Sequence, residues 1–336
     1  MKKILRLMVI AGAYAAALIA TSSPAVAEKT LKLASFVPPI YVLHKPIFLK
    51  LADDLKAATD GSVGIKVYAS GELGAGPVAQ YQRAVKRIAE ISYGLQGYTS
   101  PIFPRNLLIE LPGVAKNPED ATRKIWKVMD EYLRAEYRGT RPLAAFATAP
   151  AVLMSTKKAI NSPEDMKGMK IRVPSKSAAA IVEAYGATPV LMPANKVYTS
   201  MSNGVVDGAL MGSDSLLIFK LIEPTMYVTT GLPEMVSEIF LTMNQGAYDE
   251  LTTSEQAALD KLTGLDLSLR ASKGLDDFGK KALIIFAKGE GKKIISLTPE
   301  NRKKFDALAS RAVSNLINEY EEKGIPAGKI IAAMQK

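Results

Sequence analysis

The chain of 336 residues has no cysteine and only one histidine, His44. Without cysteine there is no disulfide framework, no thiolate chemistry and no lipid-modified thiol, so packing alone must hold the fold. One histidine cannot supply a zinc site built from several His and Cys ligands. A Ser-His-Asp triad would have to use it, yet no G-x-S-x-G elbow offers the serine. Calcium loops of the D-x-D-x-D-G type are missing as well. No metal site, cofactor or catalytic residue is therefore expected. Beyond residue 27 no apolar run approaches the roughly 20 residues that span a bilayer as helix. Internal repeats and low-complexity linkers are also lacking.

The start of the chain carries an address. Lys2, Lys3 and Arg6 precede an apolar stretch from Leu7 to Ile19, and Ala25-Val26-Ala27 supplies an A-x-A cleavage site. Residues 1–27 read as a cleavable secretory signal peptide, with the mature chain beginning near Glu28. An uncleaved anchor is the alternative, against which the short apolar core argues. Removing the three positive charges of that segment leaves 40 basic against 33 acidic residues, a net +7. The excess lies in scattered pairs such as Arg123-Lys124, Lys157-Lys158 and Lys280-Lys281, which read as solvated faces. Nucleic-acid binding would require a clustered basic stripe with interleaved aromatics, so no nucleic-acid partner is expected.

Along the mature chain, short apolar runs alternate with helical patterns. Strands are predicted at 31–35, 63–69 and 90–95, separated by helices over 43–59 and 78–88, an order that implies parallel strands covered by helices. Asn117-Pro118-Glu119-Asp120 and Ser162-Pro163-Glu164-Asp165 both read as helix starts, with a cap, a proline in the first turn and early acids. Further strands are predicted at 143–147, 152–155, 169–173, 188–192, 206–210 and 239–243, the last taken as final. From 254 to 288 the pattern is helical, although Gly264, Gly274 and Gly279 each cost about 1 kcal/mol inside a helix. The fold expected is α/β, a two-lobed arrangement with a hinged cleft and a long C-terminal helical region. Lobe I would comprise 28–148 with 237–275 returning to it, and lobe II 149–236 with 276–336 returning to it.

Two glycine-rich strings come near the spacings of phosphate-binding loops. Gly71-Glu72-Leu73-Gly74-Ala75-Gly76 reverses the spacing of a dinucleotide loop, and Gly274 to Lys280 spells G-x-x-x-x-G-K with Lys281 in place of the required Ser or Thr. Neither predicts a nucleotide site.

One segment is more specific. Ile160-Asn161-Ser162-Pro163-Glu164-Asp165-Met166-Lys167-Gly168-Met169-Lys170-Ile171-Arg172-Val173-Pro174 resembles the "spedlkGlkiRvp" signature of the TRAP-transporter substrate-binding proteins, the DctP-like family. In the expected order, Leu31–Ser35 resembles the opening strand, Val67 through Gly74 the "vyp.geLG" turn, Gly186-Ala187-Thr188-Pro189-Val190 the "Ga.pv" step, and Gly204-Val205-Val206-Asp207-Gly208 the "G.vDG" turn. The resemblance covers nearly all of the mature chain. It implies a periplasmic two-lobed protein, most simply a monomer, that closes on a small organic acid. It also implies delivery to an inner-membrane TRAP permease driven by an ion gradient.

The resemblance makes Arg172 the carboxylate ligand. Independently, Arg172 ends a predicted strand, where open α/β sheets bind ligands, and a guanidinium can grip a carboxylate bidentately. Without the motif, an arginine paired to a neighbouring acid is the plainer reading. Several positions depart from the family pattern: Val152 stands where many relatives carry a second arginine, and Met211 where a polar residue often follows the turn. Arg87-Ile88 occupies a place where relatives usually turn on glycine. A single charged anchor with a less polar remainder suggests a monocarboxylate with an apolar or aromatic body. Phe36, Tyr41, His44, Gln96, Tyr98, Asp214 and Phe240 are further cleft candidates, each with core packing, or helix capping for Asp214, as the competing role. A binding protein for an ATP-driven importer or sensor, an exported α/β enzyme and an interaction module remain the alternatives.

Overall fold

In the computed structural model, residues 28–74 and 76–336 are described; the expected signal peptide lies outside the described residues. Short runs rich in Leu, Ile and Val become strands in two separate sheets. The first contains β1 (Lys29–Ala34), β2 (Val63–Tyr68), β3 (Ile91–Leu95), β4 (Thr140–Ala147) and β10 (Glu238–Asn244), in the order β2-β1-β3-β10-β4. The second holds β5 (Ala151–Ser155), β6 (Lys170–Val173), β7 (Thr188–Leu191), β8 (Gly208–Gly212), β9 (Tyr227–Thr230) and β11 (Lys293–Ser296), in the order β11-β9-β5-β8-β6-β7. β1 pairs in parallel with both β2 and β3, as the alternation of strands and helices predicts, whereas β10 runs antiparallel between β3 and β4.

Three connections join the sheets: residues 148–150, residues 231–237 and the helix Leu265–Ala287. The first two are laced together. The Thr148 amide donates to the Ser237 carbonyl at 2.9 Å, the Ala151 amide to the Met235 carbonyl at 2.9 Å, and the Ser237 amide to Thr148 Oγ1 at 3.0 Å. The backbone polar groups of the crossing therefore satisfy one another.

The nine predicted strands are all present within a few residues. Ile239–Met243 is not the last strand, because β11 follows it, and β9 was not foreseen either. Both are four-residue strands, too short to show a period. The predicted helix over 254–288 is two helices, Thr253–Leu262 and Leu265–Ala287, broken where Gly264 takes φ +81°. Gly279 stays inside the second helix for a packing reason. A Cβ there would overlap Ser213 Oγ and lie 2.8 Å from the Ala149 Cβ, so only glycine lets the helix touch the crossing. Arg87 takes φ +52°, the backbone state for which the family pattern uses glycine, and pairs with Glu250.

Apolar cores cover both faces of each sheet. On the first sheet, Leu33, Phe48, Tyr93 and Leu241 pack on one face and Tyr81, Phe103, Ile125 and Phe240 on the other. The final helix, Ala327–Gln335, corrects the expected return of 276–336 to lobe II. Its Ile330 and Met334 join the Phe103 and Ile125 core and pack against the helix Pro118–Val128, which belongs with the first sheet.

The two bodies also touch through buried carboxyls. Ser175, which caps the helix Lys176–Ala184 of the second body, donates to Glu110 Oε2 at 2.6 Å. Glu110 Oε1 accepts from the Glu238 amide at 3.1 Å. Glu238 itself is fully buried with neither carboxylate oxygen bonded. Burial pushes Glu110 up to about 7, and burial together with the neighbouring Glu110 and Glu136 raises Glu238 well above its ordinary value.

Candidate functional site

Between the sheets lies a cavity of about 50 Å³, walled by both bodies. Arg172, the third residue of β6, reaches it from the second body and is 1% exposed. Its Nε donates to the Met192 carbonyl at 2.9 Å, while Nη2 is buried without a partner. Among the described residues no carboxylate forms an ion pair with it, so the competing role of a structural salt bridge is not realised. Burial lowers the guanidinium's pKa from its ordinary value, but an arginine remains charged in any such setting. A buried cation lacking an anion costs several kcal/mol.

Opposite Arg172, the first body contributes a row of rings. Tyr98 and Phe36 meet edge to face at 6.4 Å between centroids, Phe36 stacks on Tyr93 at 5.7 Å, and Tyr93 tilts against Tyr41 at 5.8 Å. Tyr98 stands beside the guanidinium and accepts from the Ala194 amide at 2.9 Å, which leaves its own proton to donate. The hydroxyls of Tyr41 and Tyr93 share a 2.5 Å hydrogen bond. Met211 adds a soft apolar wall from β8. Asp214, just beyond β8, lines the cavity with Oδ1 buried and unpartnered, and its side chain makes no capping bond to the helix Ser215–Ile218. Burial, reinforced by Asp276 on the long helix, pushes it up to about 7.

Arg172, Phe36, Tyr41, Tyr98, Met211 and Asp214 therefore come together. Four predicted residues do not line the cavity. Phe240 points to the other face of the first sheet, where it covers Gly94, its partner in the ladder; the adjacent pair Ile239 and Leu95 faces the cavity instead. Gln96 likewise turns away and donates to the Tyr137 hydroxyl at 2.9 Å. Val152 pairs in register with Met211 but is packed in the second body's core. His44 packs edge to face on Phe48 at 6.1 Å, outside the cavity lining. Sequence reasoning missed Tyr93, Leu95, Thr148, Phe219 and Ile239. Period-two geometry puts Tyr93 and Leu95 on one face of β3, but the strand is buried on both faces and its sequence does not tell which one meets the cavity.

Among the described residues no group of three or more His, Cys, Asp or Glu is placed to hold a metal ion, and no helix is long and apolar enough to cross a membrane. Gly71 and Gly74 take positive φ in turns, and Gly274 to Lys280 lies within the long helix. Several basic pairs are neutralised locally, with Arg123, Lys124 and Lys280 each bonded to an acid four residues earlier.

Comparison with known proteins assigns the family. Residues 33–320 match the family model of the bacterial extracellular solute-binding proteins, family 7 (DctP). A marine metagenome TRAP solute-binding protein, described as specific for aromatic acid ligands and solved with metahydroxyphenylacetate, superposes with a TM-score of 0.87. It is 25% identical, and the match covers 91% of this chain and 97% of that one. A TRAP solute-binding protein from Rhodoferax ferrireducens, solved with copurified benzoate, has the same fold at a TM-score of 0.85 and 23% identity, over 91% of this chain and 96% of that one. A solute-binding protein of Roseobacter denitrificans is 27% identical over 74% of this chain and 77% of its own length. These are receptors, not enzymes. With two α/β bodies around an arginine-bearing cavity and a family match across nearly all of its described residues, the chain belongs to the DctP family of extracytoplasmic solute-binding proteins of TRAP transporters.

Proposed function

We propose that the protein captures a monocarboxylate with an aromatic or apolar body, holds its carboxylate at Arg172, and delivers it to a TRAP permease in the inner membrane. One observation carries this reading: a buried guanidinium whose Nη2 has no partner opens onto a cavity walled by Phe36, Tyr41, Tyr93 and Tyr98. Arg172 brings the charge beside Tyr98, while Phe36, Leu95, Met211 and Ile239 supply apolar wall. That division matches an amphipathic acid better than a sugar acid, whose several hydroxyls would need polar partners along their whole length. The relative described as specific for aromatic acids supports the same class. Residues 1–27 would direct export and be removed, leaving Glu28 at the mature N-terminus in the periplasm. The bodies around the two sheets would be the closing lobes, hinged at 148–150 and 231–237.

The test is a thermal-shift screen of residues 28–336 against sugar acids, dicarboxylates, branched 2-oxo acids and aromatic acids. An acid at about 100 times its dissociation constant stabilises the native state by roughly 2.7 kcal/mol. Hits confined to aromatic or apolar monocarboxylates, and absent in Arg172→Ala, are expected. Tight binding restricted to small dicarboxylates or sugar acids would refute the proposed class.

A further inference from the structure

The polar groups at the Asp214 end of the cavity do not balance. Tyr41 and Tyr93 bring two hydroxyl protons, and their mutual hydrogen bond uses one. One phenolic proton is left over. Asp214 Oδ1 is buried with no donor, and the side chain does not cap the helix that follows it. All three side chains line the same cavity as Arg172. The first body thus offers a spare donor and the second a spare acceptor. The row of rings Tyr98, Phe36, Tyr93 and Tyr41 leads from the guanidinium to this place.

We infer that Asp214 and the Tyr41–Tyr93 hydroxyl pair form a second polar station, which selects acids carrying a hydroxyl on an aromatic body remote from the carboxylate. The inference rests on the reading of Arg172 as the carboxylate anchor. A hydroxyl is the group that fits, because it donates once and accepts at the same atom. An ether accepts only, an unsubstituted ring does neither, and an ammonium brings several donors to a single acceptor while leaving the phenolic proton unmatched. Sites that bond a ligand hydroxyl discriminate strongly against the analogue that lacks it, since buried partners are then stranded. The raised pKa of Asp214 is compatible with this role, because a carboxyl accepts in either protonation state.

The experiment is calorimetric titration of residues 28–336 with benzoate, 3- and 4-hydroxybenzoate and the corresponding methoxybenzoates. At least one hydroxy acid should bind about ten-fold or more tightly than both benzoate and its own methyl ether. In Asp214→Ala, and separately in Tyr41→Phe, that ratio should fall to within about three-fold. The ligand series needs no variant, and the two variants alter different bodies, so misfolding of one leaves the other decisive. Equal affinity for benzoate and both hydroxy acids, or a ratio that survives in both variants, overturns the second station alone. Failure of every benzoate to bind overturns the second station, and the carboxylate reading beneath it falls as well only if no other monocarboxylate binds.

Discussion

Replacing Arg172 with methionine separates a ligand anchor from a structural arginine. In the folded protein the guanidinium donates from Nε to the Met192 carbonyl, stands beside the Tyr98 hydroxyl, and leaves Nη2 buried and unpartnered. Losing that bond costs roughly 1.5–3 kcal/mol. Removing a desolvated charge returns several kcal/mol, and Met192 is only half-buried, so water can satisfy its carbonyl. The two effects offset each other, and the ligand-free variant should melt within a few degrees of the wild type or above it. Binding should change far more. Two charge-assisted hydrogen bonds from guanidinium to carboxylate, worth about 3 kcal/mol together, correspond to roughly a hundred-fold loss of affinity. An acid at about 100 times the wild-type dissociation constant would stabilise the wild type by about 2.7 kcal/mol but the variant by only about 0.4 kcal/mol. At about 2 °C per kcal/mol, those gains read as roughly 5 °C and under 1 °C in a melting assay. A variant that melts about 8 °C lower without ligand, yet keeps the full ligand shift, would refute the anchor role and make Arg172 a packing residue.

Two further predictions concern the frame around the site. Glu238 is buried beside Glu110 with both oxygens unbonded, and its pKa is raised above the ordinary 4.5. The folded chain therefore holds the proton more tightly than the unfolded chain, and stability from this group declines as pH rises above about 4.5. Glu238→Gln should accordingly raise the melting midpoint more at pH 8 than at pH 5; an equal shift at both values would show that the carboxyl is not strained by ionisation. Gly279→Ala gains about 1 kcal/mol of helix propensity but forces a methyl into Ser213 and Ala149 at the crossing. A net loss of about 1–2 kcal/mol in urea unfolding is expected, whereas Gly274→Ala, which meets only the end of the Leu43 side chain at 3.0 Å, should be milder; the reverse ranking would contradict the packing account.

Much of this architecture was legible because local signals and tertiary context agree. The early strands and the caps at Asn117 and Ser162 appear where spacing and turn chemistry place them. What failed was facing. β3 and β10 are buried on both faces, so their sequences do not alternate, and nothing local distinguishes Ile239 from Phe240 or Leu95 from Gln96. Gly94 carried a usable hint, since a glycine inside a strand marks close approach, here by Phe240. Arg172 was legible through its motif, because a lone arginine near a strand end more often pairs with a surface acid. Val152 shows the limit of reading a site from an aligned position. Val152 is packed in the second body's core, and Arg172 is the one cationic side chain among the residues lining the cavity.

If the protein captures an acid at Arg172 as proposed, the division of the cavity between two bodies ties selection to closure. Arg172 and Asp214 come from the second body, and Phe36, Tyr41, Tyr93 and Tyr98 from the first. A carboxylate meeting Arg172 in open water gains little, roughly 0–1 kcal/mol for an exposed pair. Once the rings cover it, the local dielectric falls and the same contact strengthens. Covering Arg172 without an anion has the opposite sign, because the desolvation of its charge is then uncompensated. A bound acid thus favours the closed arrangement of the two bodies, and an empty site disfavours it. On the reading proposed here, the guanidinium that recognises the cargo also reports its presence. A permease that distinguishes closed from open protein would then distinguish loaded from empty without touching the ligand.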